Sequence, residues 1–257
     1  MAAHSGSVQS VDRTLDILEK LSAVPQGMAL SDLAAATGLH VSTTHRLVNV
    51  LVERGYVRKD VSMGKYQPTL RMFEMGSQAS VVWSQMPSIR LLLDQLAAAT
   101  QQTVHLVERD GCKIIYLHKA EPYQQLVSMA SYVGQRSPMY CTGVGKSILA
   151  LLSEDAVQRI WESEEICQFT PFTITDREGL RRELELTRSR GYAIDEQEHE
   201  LGVRCIAKAI RNWRGEPIGA VSISAPASRM DETAMQSLFP KLLEVTEEIS
   251  RMLGCPN

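Results

Sequence analysis

The feature that most narrows the fold is a pair of helical segments joined at one glycine, Gly38. The shorter segment, Asp32 to Thr37, has Leu33 and Ala36 for an inward face and Ser31 placed to cap it. Gly38 follows where a helix ends in a left-handed residue, a conformation that glycine adopts without strain. The longer segment, Val41 to Arg54, turns Leu47 and Leu51 inward and stops at Gly55. Ahead of both, Val8, Val11, Leu15, Leu18 and Leu21 recur at helical spacing and predict an amphipathic helix ending near Pro25-Gln26-Gly27. Behind them, Tyr56-Val57-Arg58 and Lys65-Tyr66-Gln67 flank the turn signal Ser62-Met63-Gly64, which reads as a small hairpin. Three helices followed by a hairpin, in that order, predict a winged helix-turn-helix.

A helix that reads DNA needs an apolar face to anchor it and an opposite face of short or forked polar side chains. With Leu47 and Leu51 inward, helical geometry turns Ser42, His45, Arg46 and Asn49 outward, places Thr43 on the flank and puts Thr44 nearer the core. Arg46 suits bidentate bonding to guanine, and Asn49 suits adenine. Ser42 and Thr43, in the first turn, suit phosphate. Arg58, Lys59 and Lys65 of the hairpin supply attraction without sequence preference. Any surface helix carries polar residues, and only the whole constellation of capped helix, glycine turn, polar-faced helix and basic hairpin points to DNA. Charge agrees with it. The chain carries a net −3, but between residues 39 and 71 six cations face two acids, the local positive charge of a DNA-binding module.

Beyond the hairpin, Leu70, Phe73 and Met75-Gly76 lead into Val81-Val82-Trp83, a helical connector expected to end before Pro87. The second half mixes elements. Helices are expected at Ser88 to Thr100 and Gly145 to Leu152, after the capping box Thr175-Asp176-Arg177-Glu178 as far as Arg190, and from about Asp231 to Leu253 with a kink at Pro240. Strands are expected at Thr103 to Glu108, Lys113 to Lys119, Gln125 to Ala130, Val203 to Arg211 and Pro217 to Ala225, the last two joined at Asn212-Trp213-Arg214-Gly215. The fold class is α+β. The expected organisation is a winged helix-turn-helix over 8–70, a linker helix over 71–86 and a second domain over 87–257.

Other classes fit poorly. No apolar run approaches the roughly 18 residues of a membrane span, and the N-terminal Met1-Ala2-Ala3-His4-Ser5 has no secretory pattern, so a cytoplasmic chain is expected. The five cysteines, Cys112, Cys141, Cys167, Cys205 and Cys255, are widely spaced and read as free thiols rather than a disulfide or zinc framework. No catalytic residue, metal or cofactor is expected. A cysteine enzyme using Cys205 or Cys141 with His199 or His118 as base is the weaker alternative, because no local motif sets a histidine beside either thiol.

Several motifs together resemble the isocitrate lyase regulator (IclR) family of bacterial transcription factors. They are Gly38 to Leu47 in the reading helix, Gly134-Gln-Arg-Ser-Pro-Met-Tyr-Cys-Thr-Gly-Val-Gly-Lys146, Arg190-Gly-Tyr-Ala-Ile-Asp195, Gly202-Val-Arg-Cys-Ile-Ala207 and Ser222-Ile-Ser-Ala-Pro226. The resemblance implies a homodimer or tetramer on double-stranded operator DNA, with a GAF-like C-terminal domain that binds a small organic acid and alters operator affinity. It implies a regulator, expected here as a repressor with an activator as the alternative. Sugar acids, keto acids and aromatic acids are the effector classes.

The family's effector contacts fall, by resemblance, on Gly143, Val144, Asp195, Cys205, Ser222 and Ser224, with Met129 and Val203 as an apolar wall. The residues themselves allow this. Thr142-Gly143-Val144-Gly145 before a helix can offer backbone N–H groups to a carboxylate, and Ser222 and Ser224, two apart on a strand, share a face. They also allow a plain turn, satisfied strand hydroxyls, a core cysteine and an aspartate cap. Gln135, Arg136 and Tyr140 suit a hydroxylated acid, with Arg136 opposite a carboxylate, or a surface or interface role.

Overall fold

The computed structural model describes residues 8–79, 85–122 and 129–256. The chain divides into two compact units, Met1–Trp83 and Ser84–Asn257. That division falls inside the stretch 71–86 expected as a linker. The connector residues Val81-Val82-Trp83 lie outside the described residues, as does most of the strand expected at Gln125 to Ala130.

In the first unit the order is α1 (Gln9–Ser22), β1 (Met28–Ala29), α2 (Leu30–Thr37), α3 (Val41–Glu53), β2 (Val57–Asp60), β3 (Lys65–Pro68) and α4 (Arg71–Ala79). The strands form one antiparallel sheet in the order β1-β3-β2. Ile17, Leu21, Leu33, Leu47, Val48, Leu51, Val57 and Tyr66 make the core. Truncating a leucine in such a core costs about 2 to 5 kcal/mol. Gly38 takes φ +65° and closes α2.

Three local expectations are corrected. Val8, Val11 and Leu15 are exposed, whereas Leu21 is buried as expected, Leu18 packs partly buried beside it and Ile17 joins them, so only the C-terminal end of the expected stripe faces inward. Ser31 does not cap α2. The β1 pairing to β3 carries the chain extended as far as Ala29, which becomes the cap, and Ser31 falls in the first helical turn with its hydroxyl on Asp32. Ala36 is exposed and Ala34 is buried in its place.

The second unit runs α5 (Met86–Thr100), β4 (Thr103–Asp110), β5 (Lys113–Ala120), β6 (Arg136–Pro138), α6 (Gly143–Leu149), α7 (Glu154–Ser163), α8 (Arg177–Arg190), β7 (Ala193–Glu196), β8 (Val203–Arg211), β9 (Pro217–Pro226) and α9 (Glu232–Met252). The strands form one antiparallel sheet, β6-β5-β4-β9-β8-β7. Side chains alternate across it. Ala207, Ala209 and Ala220 pack under α6 with Val144 and Ile148, while α5 and α9 pack on each other and on the sheet.

Here too the boundaries shift. The residue that caps α8 is Asp176, whose Oδ1 accepts the Gly179 N–H at 2.7 Å, so the box expected from Thr175 to Glu178 does not form and Glu178 pairs with Arg181 instead. Helix α6 starts at Gly143 and ends at Leu149, earlier than expected, because Thr142 Oγ1 accepts the Gly145 N–H at 3.2 Å. Residues 129 and 130 are outside any strand. Helix α9 continues through Pro240. The elements β6, α7 and β7 were not anticipated. Helix α7 has a legible signal, Ser153 accepting the Ala156 N–H, ahead of Glu154 and Asp155.

Candidate functional site

Helix α3 buries Leu47, Val48 and Leu51 along one side, with Thr44 fully buried beside them. Thr44 Oγ1 is satisfied by the His40 carbonyl at 3.2 Å. Ser42, His45, Arg46 and Asn49 are exposed on the other side, and Thr43 is half-buried between. The hairpin that follows is held by a feature the sequence reading missed. Asp60 Oδ1 accepts from the Ser62 N–H at 2.9 Å, the Ser62 hydroxyl at 2.6 Å and the Met63 N–H at 3.1 Å. Those bonds, the Ser62 hydroxyl first, hold the Asp60 carboxyl below its ordinary range. Lys59 lies over the Tyr66 ring at 5.5 Å, and Arg58 bonds Gln67 at 3.2 Å. Lys65 stands at the tip, paired with Asp60 across the ladder. A polar helix face and a cationic hairpin are therefore built on one small core.

In the second unit a cavity of about 70 Å³ lies against one face of the sheet. One water needs roughly 10 to 15 Å³ of such volume, so the space suits a ligand of a few heavy atoms. Met129, Gly143, Val144, Asp195, Val203, Cys205, Ser222 and Ser224 all line it. The sheet explains how residues so far apart in sequence meet. Asp195 on β7 pairs with Cys205 on β8, Cys205 with Ser224 on β9, and neighbouring Ser222 with His105 on β4.

His105 was missed. Nothing local in Thr103-Val104-His105 marks it; only the register of β4 on β9 brings its ring to the serines. Its Nδ1 lies 3.3 Å from Ser222 Oγ and 3.4 Å from Ser224 Oγ, and its Nε2 lies 2.8 Å from Ser131 Oγ. Burial, with Lys119 and His118 nearby, lowers its pKa to about 3. Tyr116 meets the ring edge-on, with centroids 5.4 Å apart.

Asp195 is buried, and its Oδ1 accepts the Glu198 N–H at 2.7 Å. Burial raises its carboxyl to about 7 in spite of the opposing pull of Lys146. Burial likewise pushes up the thiols of Cys205 and Cys141. A nucleophilic cysteine needs the reverse. His118 lies 3.4 Å from Asp94.

The two glycines before α6 differ in role. A Cβ on Gly143 would stand 2.6 Å from Cys205 Sγ, so its bareness leaves room at the cavity. A Cβ on Gly145 would stand 2.3 Å from the Met139 backbone, so that glycine serves packing rather than ligand approach. Lys146 turns away from the cavity into a buried ion pair with Glu198, with Glu183 at 3.8 Å. The other Glu198 oxygen, Oε2, is buried without a hydrogen bond.

Of the roles the residues allow for Arg136, the surface one holds: it pairs with Asp110 on the exposed end of the sheet and is not in the lining. Tyr140 closes a structural bridge, its hydroxyl donating to the Cys167 carbonyl and accepting the Cys167 N–H, both at 2.8 Å. Gln135 does line the cavity. Among the described residues, no lysine or arginine does. A larger open cleft of about 560 Å³ lies elsewhere on this unit, beside Arg188, Lys208, Arg211 and Arg251. Three of its cations are engaged within the fold: Lys208 donates to the Gly191 carbonyl at 3.2 Å and Arg188 to the Ala150 carbonyl at 2.7 Å, closing helix ends, and Arg251 pairs with Glu248 at 2.6 Å. The cavity is therefore the better candidate. Among the described residues no group of three metal-binding side chains occurs, and no helix is long and apolar enough to cross a membrane.

Comparison with known proteins bears on both sites. A family model described as the IclR helix-turn-helix domain matches residues 10–61, and one described as bacterial transcriptional regulator IclR C-terminal matches residues 86–251. The chain is 33% identical over 250 residues to the HTH-type transcriptional regulator XynR of Escherichia coli (strain K12), covering 97% of this chain and 98% of XynR. It is 35% identical over 248 residues to the DNA-binding transcriptional repressor YiaJ of the same organism, covering 96% and 88% respectively. The crystal structure of the Thermotoga maritima IclR superposes with a TM-score of 0.78 at 32% identity, covering 96% of this chain and 99% of that one.

Proposed function

The chain belongs to the IclR family of bacterial transcriptional regulators, and from that premise we propose that it is a repressor whose operator affinity is set by a small organic acid held in the cavity of about 70 Å³. It is a DNA-binding transcription regulator with a C-terminal effector-binding domain. The observation that carries the finer reading is the convergence on one cavity of all eight residues expected to touch an effector. Repression is supported by the repressor YiaJ among its relatives.

On the DNA, Arg46 and Asn49 read base edges, His45 flanks them, and Ser42 and Thr43 meet phosphate. Arg58, Lys59 and Lys65 add salt-sensitive attraction. A homodimer or tetramer would place two such helices in successive major grooves, with half-sites about 34 Å apart or a multiple of that. The effector acts by binding the DNA-competent and incompetent forms unequally.

The test is a thermal-shift screen of the full chain over sugar acids, keto acids and aromatic acids, repeated on Ser222→Ala and Asp195→Ala. A stabilising acid whose effect both variants lose supports the reading. An acid that both variants bind at full strength places the effector elsewhere. A reporter driven by the operator distinguishes the two regulatory senses: deleting the regulator raises transcription if it represses and lowers it if it activates.

A further inference from the structure

An acid in this cavity poses a problem of charge. Among the described residues the lining offers no lysine or arginine, burial lowers the pKa of both of its histidines, His105 and His199, and it contains Asp195 and Glu200. A buried carboxylate must then be held by neutral donors. Ser222 and Ser224 are placed for this, with hydroxyl oxygens 3.5 Å apart. Whether they donate or accept depends on what else they bond.

His105 decides it. The ring is 4% exposed and flanked by serine oxygens at both nitrogens. Burial keeps it neutral, so it carries one N–H and one bare nitrogen. The two tautomers build different sites. With the proton on Nε2, the ring donates to Ser131, and Nδ1 accepts a hydrogen bond from the Ser222 or Ser224 hydroxyl. That serine then shows lone pairs to the cavity, which suits a ligand that donates. With the proton on Nδ1, Ser131 donates to Nε2 and the ring N–H is shared by both serine oxygens. Both serine protons are then left to point at one carboxylate.

We propose that His105 is the positioning residue that fixes the ligand class, turning Ser222 and Ser224 into twin hydroxyl donors for the carboxylate of a small acid. The proposal rests on the reading of this cavity as a small-acid site. It explains why the cavity does without a cation: the donors are oriented beforehand by a ring that is itself locked by Ser131 and Tyr116. Charge-assisted bonds from neutral hydroxyls to a carboxylate are stronger than neutral pairs, and their strength rises in a dry cavity.

The experiment is isothermal titration of the full chain with glyoxylate, pyruvate and lactate, and with the primary amides of pyruvate and lactate as uncharged counterparts. Wild type, His105→Leu, His105→Asn and Ser222→Ala are compared, with melting curves to confirm folding. Wild type should bind an acid at least about ten-fold more tightly than its amide. His105→Leu should lose that preference, and His105→Asn, whose amide N–H can donate from near the Nδ1 position, should keep most of it even if the leucine variant melts early. Nitrogen-15 NMR of labelled histidine should show His105 shifting to the Nδ1-protonated form as the acid is added. An acid preference lost in Ser222→Ala but intact in both His105 variants would overturn the role of His105 and leave the small-acid site standing. If no acid binds wild type, or if Ser222→Ala binds as wild type does, the small-acid reading fails and this proposal with it.

Discussion

Gly143 and Cys205 share the space of a single side chain: a Cβ on the glycine would lie 2.6 Å from the cysteine Sγ, 3.4 Å from the Ala207 Cβ and 3.4 Å from the Asp195 amide nitrogen. Gly143→Ala should therefore fill the cavity from the α6 side. The expected outcome is a loss of effector affinity of ten-fold or more and a stability cost of about 1 to 3 kcal/mol from overpacking. Titration calorimetry and urea unfolding measure the two. Unchanged affinity would mean that the ligand does not approach Gly143.

Lys146 should matter for stability rather than for ligand. It is 1% exposed and sits between Glu198 and Glu183. Removing one partner of a buried pair leaves an uncompensated charge and costs about 3 to 5 kcal/mol. Lys146→Met should show that loss in urea unfolding, and adding Glu198→Gln should recover part of it. Equal destabilisation by the single and double variants would contradict the pairing.

Asp195 makes a prediction about pH. Its carboxyl is raised from 3.8 to about 7, first by burial. Between those two values the folded chain holds a proton that the unfolded chain has released, so stability falls as pH rises through this window and levels off above it. Asp195→Asn, which keeps an oxygen for the Glu198 N–H, should melt higher than wild type at pH 8 and close to it at pH 4. Parallel melting profiles across that range would contradict the buried, proton-holding carboxyl.

On the DNA side, base and phosphate contacts should separate. Arg46→Ala should cost about 1 to 3 kcal/mol and relax specificity at one base pair. Lys65→Ala should weaken binding to all duplexes alike and lower the salt slope by about one. Anisotropy titrations at several salt concentrations check both. A sequence-selective loss from Lys65→Ala would reverse the assignment.

The sequence was most legible where function follows local pattern. Leu47 and Leu51 at helical spacing, with glycines at 38 and 55, located α3 almost to the residue. It was less legible where burial depends on partners. At the start of α1 the aliphatic residues Val8, Val11 and Leu15 stay exposed, while Ile17 and Leu21 further along are buried; spacing alone could not tell how much of the stripe packs on α2 and α3. The cavity divides the same way. Gly143, Ser222 and Ser224 announced themselves by motif, whereas His105 enters only through the pairing of β4 with β9. For Arg136 the residues allow a carboxylate partner or a surface role, and the pairing of β6 with β5, which sets it beside Asp110, gives the second.

In the proposed function a small acid in the cavity controls DNA binding. The most direct measurement is the affinity of the full chain for an operator duplex selected from a random pool, titrated with the acid that gives the largest thermal shift, for wild type and for the double variant Ser222→Ala, Ser224→Ala. The account predicts that the acid moves the wild-type operator affinity by ten-fold or more and leaves the double variant's affinity unchanged while that variant still binds the duplex. An equal shift in both proteins, or no shift in either, would contradict it.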